Sequence, residues 1–321
     1  MGWECAGLRW PGDRPELVWR QGERQRVSVL GYGSVLGFRA MGERHCSGAR
    51  GNACPVTAVV PGRSTGGRCA ECARLDRAHS VAADTIADDP RTYRVYLAWF
   101  GPGMVKVGIT AEERGAARLR EQGAVVFSWL GRGPLMAARR TEEVLRAALG
   151  VPDRIPYARK RVARGVLPGG EERGTEIAEL YGRAAALEGR GWPESLERLP
   201  FAPVDHVAIF GIGDAVGRVD IGAGGASGAG IDRPERPDRP ERLERPVVAV
   251  RELAGGGVVA GRLVAAAGPD LHLRAPDGGT AVLDTRLLTG WRLDRIDGAA
   301  GAAVTVPVEA VGGGNVQGGL F

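Results

Sequence analysis

Two runs of β-forming residues, joined by a tight glycine-proline-glycine turn, stand near the middle of the chain. In YRVYLAWF, residues 93–100, both alternating faces are largely apolar, which is typical of a strand that is covered on both sides. VKVGI, residues 105–109, is the second strand, and the turn at 101–103 predicts an antiparallel hairpin. The hairpin is therefore expected inside the protein, with other elements on both of its faces.

A short helix is expected directly after the hairpin. Thr110 is followed three residues later by Glu113, a capping box that predicts the helix start, and Gly123 supplies the stop. Within this helix three polar residues share one face at a spacing of four: Arg114, Arg118 and Gln122. The sequence thus places two arginines close to the hairpin.

A third strand, AVVFSWL, and a helix from about Leu135 to Leu149 follow. The helix has an apolar stripe in which Glu142 occupies the place between Ala138 and Leu145. A carboxylate on a buried stripe is costly unless something compensates it, whereas Glu143 can face water. Glu142 is therefore a candidate functional residue.

The order of these elements resembles a known fold. The RVY of the first strand, the KVG of the second, the helical arginine and the later glutamate look like the ββαβα core of GIY-YIG endonucleases. The whole chain resembles an uncharacterised bacterial family known as domain of unknown function 2797, for which KVGIT followed by R and QGA is characteristic. This second resemblance covers residues 40–165 well and the rest loosely. It implies an α+β protein with a GIY-YIG-like core.

The resemblance also implies roles for five residues. Tyr96 matches a tyrosine that orients or deprotonates the attacking water, and Gly108 matches a glycine of the second motif. Lys106 stands where that motif usually has a tyrosine. Arg118 matches the arginine that steadies the scissile phosphate, and Glu142 the carboxylate that binds Mg²⁺ or Mn²⁺. The segment VPDRIPYARKR lacks the asparagine that usually follows.

The residues themselves leave other interpretations open. Phosphodiester hydrolysis needs a cation, a fixed positive group and an aligned water, and one Glu, one Arg or Lys and one Tyr could supply them. Taken alone, however, Tyr96 is more often a core tyrosine and Arg118 a solvated helix residue. Glu142 could be the half-buried partner of an arginine. Only the joint placement of the three favours a catalytic site.

Four cysteines are clustered upstream of the hairpin: Cys46, Cys54, Cys69 and Cys72. The CAEC pair is typical of a zinc knuckle, although the first pair is spaced more widely than usual. Four thiolates would make a structural zinc site, with His45 or His79 as a substitute for one of them. A redox dithiol at the CAEC pair, or unconnected thiols, are the alternatives. Cys5 stands apart and is expected to be an unpaired thiol.

Composition narrows the class of protein. The net charge of +5 is only weak evidence for a nucleic-acid partner, because the basic residues are almost all arginine. Lys106 and Lys160 are the only lysines among 43 basic residues. We find neither a run of about 18 apolar residues nor a signal-peptide pattern, and we expect a cytoplasmic protein without a membrane partner. Basic residues within 151–170, with Arg139, Arg140 and Tyr157, could follow a phosphate backbone or form a solvated loop.

The chain divides by pattern into seven parts. They are a β-rich segment (1–44), the cysteine segment (45–80), the GIY-YIG-like core (81–170), a helix and strand extension (171–221), a disordered linker (222–246), a small β domain (247–310) and a disordered tail (311–321). The leading hypothesis is a zinc-stabilised nucleic-acid protein that acts as a divalent-metal-dependent endonuclease. The alternatives are a non-catalytic nucleic-acid-binding module and a protein-interaction scaffold.

Overall fold

The computed structural model describes residues 3–78, 89–152, 154–189, 191–215, 247–296 and 304–312. These residues form a mixed α+β protein with more sheet than helix, as the sequence predicts. The expected linker at 222–246, the end of the tail from 313 and the candidate ligand His79 lie outside the described residues.

The α-helices of the described residues lie between Ala70 and Ala215, and strands predominate on either side. The strands are β1 (Glu4–Arg9), β2 (Glu16–Gln21), β3 (Arg24–Val29), β4 (Val35–Met41), β5 (Thr92–Trp99), β6 (Val105–Ala111), β7 (Val126–Pro134), β8 (Glu197–Arg198), β9 (Val204–Asp205), β10 (Val247–Val250), β11 (Val258–Ala267), β12 (Asp270–Arg274), β13 (Thr280–Asp284), β14 (Arg292–Arg295) and β15 (Val308–Ala310). The helices are α1 (Ala70–Ala78), α2 (Ala117–Gln122), α3 (Leu135–Leu149), α4 (Tyr157–Arg164), α5 (Gly170–Ala185), α6 (Val207–Phe210) and α7 (Ile212–Ala215).

A ten-stranded sheet joins the two ends of the chain, in the order β15-β10-β13-β12-β11-β4-β14-β1-β2-β3. β4 lies between β11 and β14, and β1 pairs with β14. Residues 1–44 and 247–310 were expected to form separate units, and in the structure they share this sheet. The physical reason is that each segment alone would leave strand edges with unpaired backbone groups.

The hairpin expected from the sequence forms the middle of a smaller sheet. β5 pairs with β6 on one side and β7 on the other, both antiparallel. Tyr96 faces Gly108 across the first ladder and Trp129 across the second. From Val95 to Trp99 every side chain of β5 is buried, so the prediction of a strand covered on both sides is confirmed.

The helix after the hairpin starts later than predicted. Thr110 lies inside β6, and a 3₁₀ turn at Glu112–Arg114 precedes α2, so the capping box does not form. Gly115, with a φ of 47°, separates this turn from α2, and Arg114 is therefore not on the same helix as Arg118. Gly123 ends α2 in the left-handed conformation, as predicted.

Helix α3 has the predicted bounds, but its buried face is rotated. Thr141, rather than Glu142, is fully buried between Ala138 and Leu145, and its hydroxyl donates to the carbonyl of Ala137. Threonine can be buried here because this bond satisfies its hydroxyl. Glu142 lies at the border of the face and is half-buried. α3 and α5 both pack on the smaller sheet.

Two further differences concern the ends of the sheets. The extension at 171–221 was expected to contain a strand after its helix, but its run PVDHVAIFGI forms the two-residue β9 and then the short helix α6. The first amide of α6, on Val207, donates to the side chain of Asp205. β1 was not predicted, because a bulge at Gly7 interrupts its alternation. Side chains of both sheets, including Trp10, Val95 and Leu263, belong to one hydrophobic cluster.

Candidate functional site

The hydroxyl of Tyr96, on β5 of the smaller sheet, lies at the centre of a cluster of polar side chains. The side chain is 2% exposed, and its hydroxyl accepts a hydrogen bond of 2.7 Å from Nε2 of Gln122 at the end of α2. This bond satisfies a hydroxyl that would be costly to bury alone. The sequence placed Gln122 near the hairpin but gave no sign of this contact.

Gly108 leaves the space that the tyrosine ring occupies. A Cβ atom at this position would overlap the hydroxyl oxygen and Cζ of Tyr96. The glycine on β6 and the tyrosine on β5 are direct partners in the ladder. Gly108 is therefore explained by packing against Tyr96, and no contact with a substrate is needed to account for it.

Both lysines of the chain bind the same residue. Nζ of Lys106 donates to Oε1 of Gln122 at 3.3 Å, and Nζ of Lys160 donates to the backbone oxygen of Gln122 at 3.0 Å. Lys160 also lies over the ring of Phe100, 3.8 Å from its centroid. Burial, with the charges of Arg164 and Lys106, lowers the pKa of Lys160 to about 7.

The charges of Arg118 on α2 and Glu142 on α3 both affect the pKa of the Tyr96 hydroxyl. Burial raises the pKa of Tyr96; the hydrogen bond from Gln122 and the charge of Arg118 oppose this rise, and the charge of Glu142 adds to it. Arg118 on α2 is 44% exposed, with Nη1 3.8 Å from a carboxylate oxygen of Glu121. The structure thus places Arg118 and Glu142 each within electrostatic reach of the Tyr96 hydroxyl.

A cleft of about 270 Å³ opens beside Arg118, between the helices α2 and α4 and segments that border the larger sheet. Arg118 and Glu121 of α2 and Tyr157 of α4 line one side, and Arg286 and Thr289 line the other. The guanidinium of Arg286 lies 4.2 Å from the ring centroid of Tyr157. Arg286 was not predicted from the sequence, because nothing local to it indicates a contact with the distant helix α4.

The basic patch expected at 151–170 is only partly on the surface. Lys160 and Arg164 are buried, and Arg161 is 13% exposed. Arg161 binds Asp270 and Asp284, both at 2.7 Å, and Arg164 binds Asp270 at 2.8 Å. These residues hold α4 against the larger sheet, because charges this deep are stable only when paired. Arg154 and Arg159 remain exposed.

The four predicted cysteines converge. One possible ligand atom from each lies within 4.8 Å of the others: Cys46, Cys54, Cys69 and Cys72. Zn–S bonds of about 2.3 Å in a tetrahedral site put sulfurs roughly 3.8 Å apart, so the cluster could hold a metal ion with little rearrangement. The sulfur of Cys46 accepts backbone hydrogen bonds from Gly48 and Cys69. Backbone hydrogen bonds, chiefly at Ala58, lower the pKa of Cys54 to about 7.

Neither the candidate ligand His45 nor the fifth cysteine, Cys5, joins this cluster. His45 turns its ring to the carbonyl oxygen of Thr57, 3.0 Å from Nδ1. Cys5 is buried apart from the cluster as a free thiol, and burial raises its pKa to about 12. The four thiols are therefore the donor set among the described residues.

Arg44 connects the cysteine segment to the cleft through hydrogen bonds. This buried guanidinium donates to the carbonyl oxygens of Pro61 and Ser64, which lie between Cys54 and Cys69. It also donates to the carbonyl oxygens of Arg286 and Thr289. No carboxylate binds it in the described residues, so backbone dipoles alone satisfy its charge.

Comparison with known protein families confirms the resemblance to the uncharacterised family. Residues 33–202, more than half of the chain, match the family described as "Protein of unknown function (DUF2797)". No curated protein and no solved structure matches the chain. None of the described helices is both long and apolar enough to cross a bilayer. The family match includes the four cysteines as well as Tyr96, Arg118 and Glu142, and the chain belongs to the DUF2797 family of proteins of unknown function.

Proposed function

We propose that this protein is a zinc-stabilised nucleic-acid protein whose GIY-YIG-like core cleaves phosphodiester bonds with the help of a divalent cation. One observation carries the proposal: the charges of Arg118 and Glu142, from α2 and α3, both act on the hydroxyl of Tyr96 in β5. The order of elements from β5 to α3, strand-strand-helix-strand-helix, supports the GIY-YIG-like core.

Zinc is the metal that best fits the cysteine cluster. Four thiol ligands select a soft or borderline ion, and four protein ligands leave no position for a substrate. The ion would be structural. Through Arg44, which binds the carbonyl oxygens of Ser64 and Arg286, it would also stabilise one wall of the cleft.

The residues near Tyr96 can divide the work of phosphodiester hydrolysis. Glu142 offers a hard oxygen ligand and would hold Mg²⁺ or Mn²⁺, which when bound neutralises charge on the phosphate oxygens. Arg118, 44% exposed beside the cleft, would bind the phosphate itself. Because burial raises the pKa of Tyr96, its hydroxyl stays protonated and positions a neighbouring group instead of removing a proton.

A non-catalytic nucleic-acid-binding module is the second candidate. Lys106 occupies the position of a second tyrosine and is hydrogen-bonded to Gln122, and Tyr96 is 2% exposed. Both features favour a site whose polar groups are hydrogen-bonded to one another. Such a protein would keep the cleft and its arginines, and it would bind strands without cutting them.

A cleavage assay separates the two candidates. Purified protein is incubated with Mg²⁺ or Mn²⁺ and single-stranded, duplex or branched DNA, or RNA. We expect cleavage of at least one substrate, reduced by about tenfold or more in Arg118→Ala, as for loss of a charge-stabilising donor. Arg274→Ala, at an exposed arginine at the end of β12, is the matched control and should cleave normally. Binding without cleavage by the wild type would support the second candidate.

A further inference from the structure

Positive charge exceeds negative charge on the α2 wall of the cleft. Glu121 is shared by two arginines: Nη2 of Arg114 lies 2.8 Å from its carboxylate, and Nη1 of Arg118 lies 3.8 Å away. One carboxylate therefore faces two guanidinium groups. Arg118 is the arginine of this pair that lines the cleft.

The ion-pair cluster that holds Arg286 has the same excess. Asp270 and Asp284 are buried and are shared by Arg161, Arg164 and Arg286. Two carboxylates thus face three guanidinium groups, and Arg286, at 37% exposure, is the member of this cluster that lines the cleft. Asp284 engages Nε and Nη2 of Arg286, and Nη1 makes no hydrogen bond within the described part of the chain, which leaves it for a ligand. The charged side chains that line the cleft, Arg118, Glu121 and Arg286, sum to one positive charge.

The wall that carries Arg286 is fixed in place before any ligand arrives. Arg44 donates to the carbonyl oxygens of Arg286 and Thr289 at 2.9 and 2.8 Å, and the side chain of Asp284 accepts from the amide of Arg286. A preorganised wall loses little conformational freedom on binding. The volume of about 270 Å³ is below that of most small-molecule sites, about 300–1,000 Å³, and suits a single phosphate-bearing unit.

The aromatic residues that line the cleft do not offer a platform for a base. The ring of Tyr157 already contacts Arg286 and Lys160, and its hydroxyl donates to the carbonyl oxygen of Glu121. Trp10 is 1% exposed and packs edge-on against Phe210. Recognition in the cleft would therefore depend on phosphate and not on base stacking.

We propose that this cleft is a second phosphate subsite, in which Arg286 binds a backbone phosphate of a nucleic-acid strand next to the phosphate held by Arg118. This inference rests on the proposed function, but the proposed function does not require the contact with Arg286. Arg286 lies outside the matched range 33–202, so the larger sheet completes the binding surface of the core.

Strand binding measured over a range of salt concentrations tests the subsite. Fluorescent single-stranded DNA and RNA oligomers are titrated with protein in the absence of divalent cations. Arg286→Gln should bind about tenfold more weakly at low salt, since a charged hydrogen bond is lost. The slope of log K against log salt should fall by about 0.7, the contribution of one phosphate contact on a single strand. An oligomer with abasic positions should bind within about twofold of the normal one.

Matched variants separate the effect of the lost charge on strand binding from any effect on folding. Arg286→Lys keeps the charge and should keep the slope, and Arg274→Gln, an exposed arginine at the far end of the β12–β13 hairpin, should behave as wild type. Thr289→Asp changes none of the residues that form these ion pairs and should weaken binding by repulsion. It therefore tests the subsite independently if Arg286→Gln lowers the melting temperature. Wild-type affinity and slope in Arg286→Gln and Thr289→Asp would overturn the subsite alone. A wild-type protein that binds no oligomer would overturn the proposed function as well.

Discussion

The hydroxyl of Tyr96 lies over Gly108, its direct partner across the β5–β6 ladder. Tyr96 and Gly108 match neighbouring motifs of the GIY-YIG resemblance, and the structure gives a physical reason for their pairing. The tyrosine can lie flat across the sheet only because position 108 has no side chain. Its hydroxyl then reaches Gln122, to which both lysines bind.

Gly108→Ala should destabilise the protein by displacing the Tyr96 ring. Forcing a methyl group into a packed core costs about 1–3 kcal/mol. Urea unfolding measures the loss. Gly182→Ala, in α5 with no atom within 4 Å of the added Cβ, is the control, and it should be neutral or stabilising by up to about 1 kcal/mol. Equal stability of the two variants would contradict the close contact.

Metal analysis tests the cysteine cluster. Wild-type protein should carry about one zinc per chain, and Cys69→Ser and Cys72→Ser should each lose most of it, since three thiolates hold zinc less tightly. Cys5→Ser removes a thiol outside the cluster and should keep the metal. A chelator should lower the melting temperature of wild type and of Cys5→Ser. Zinc retained in Cys72→Ser would show that the four thiols are not the site.

Lys160 should make stability depend on pH. Its pKa is lowered to about 7 in the folded protein from the model-compound value of 10.5, so above about pH 7 the unfolded chain binds one more proton at this side chain. The free energy of unfolding should therefore rise with pH, by about 2 kcal/mol from about pH 7 to about pH 9. Lys160→Met should lack this rise. Parallel pH profiles for the two proteins would mean that the lysine titrates normally.

The ion pairs between α4 and the larger sheet should be needed for stability. Asp270→Asn leaves Arg161 and Arg164 without their shared buried carboxylate, and the loss should be about 3–5 kcal/mol in urea unfolding. Asp277→Asn, an exposed turn residue of the same hairpin, should change little, because the asparagine oxygen can still accept from Gly279. Asp270→Asn as stable as Asp277→Asn would show that the network is dispensable.

Local patterns in the sequence predicted the parts of the fold that depend on local order. The hairpin, the bounds of α3 and the grouping of four cysteines all follow from spacing within short segments. The helix start at Thr110 was wrong because β6 continues through this residue, and the buried face of α3 includes Thr141, whose hydroxyl is satisfied inside the helix. In both cases hydrogen bonding outweighed the pattern.

Contacts between distant segments could not be predicted. The union of residues 1–44 with 247–310 in one sheet, the pairing of Arg161 with Asp270 and Asp284, and the position of Arg286 across the cleft all join residues far apart in the chain. The basic patch was therefore overestimated, since its carboxylate partners lie more than 100 residues away. Lys106 was singled out by its place in the KVG motif, where the resemblance usually has a tyrosine.

Comparison of Glu142→Ala with Glu143→Ala tests the proposed function most directly. The two carboxylates are neighbours on α3, but Glu142 is half-buried and acts on Tyr96, whereas Glu143 is exposed. With Mg²⁺ or Mn²⁺ and the substrate that wild type cuts best, we predict normal cleavage by Glu143→Ala. Glu142→Ala should show none and should still bind the strand. Cleavage by Glu142→Ala at the wild-type rate would contradict the proposed site.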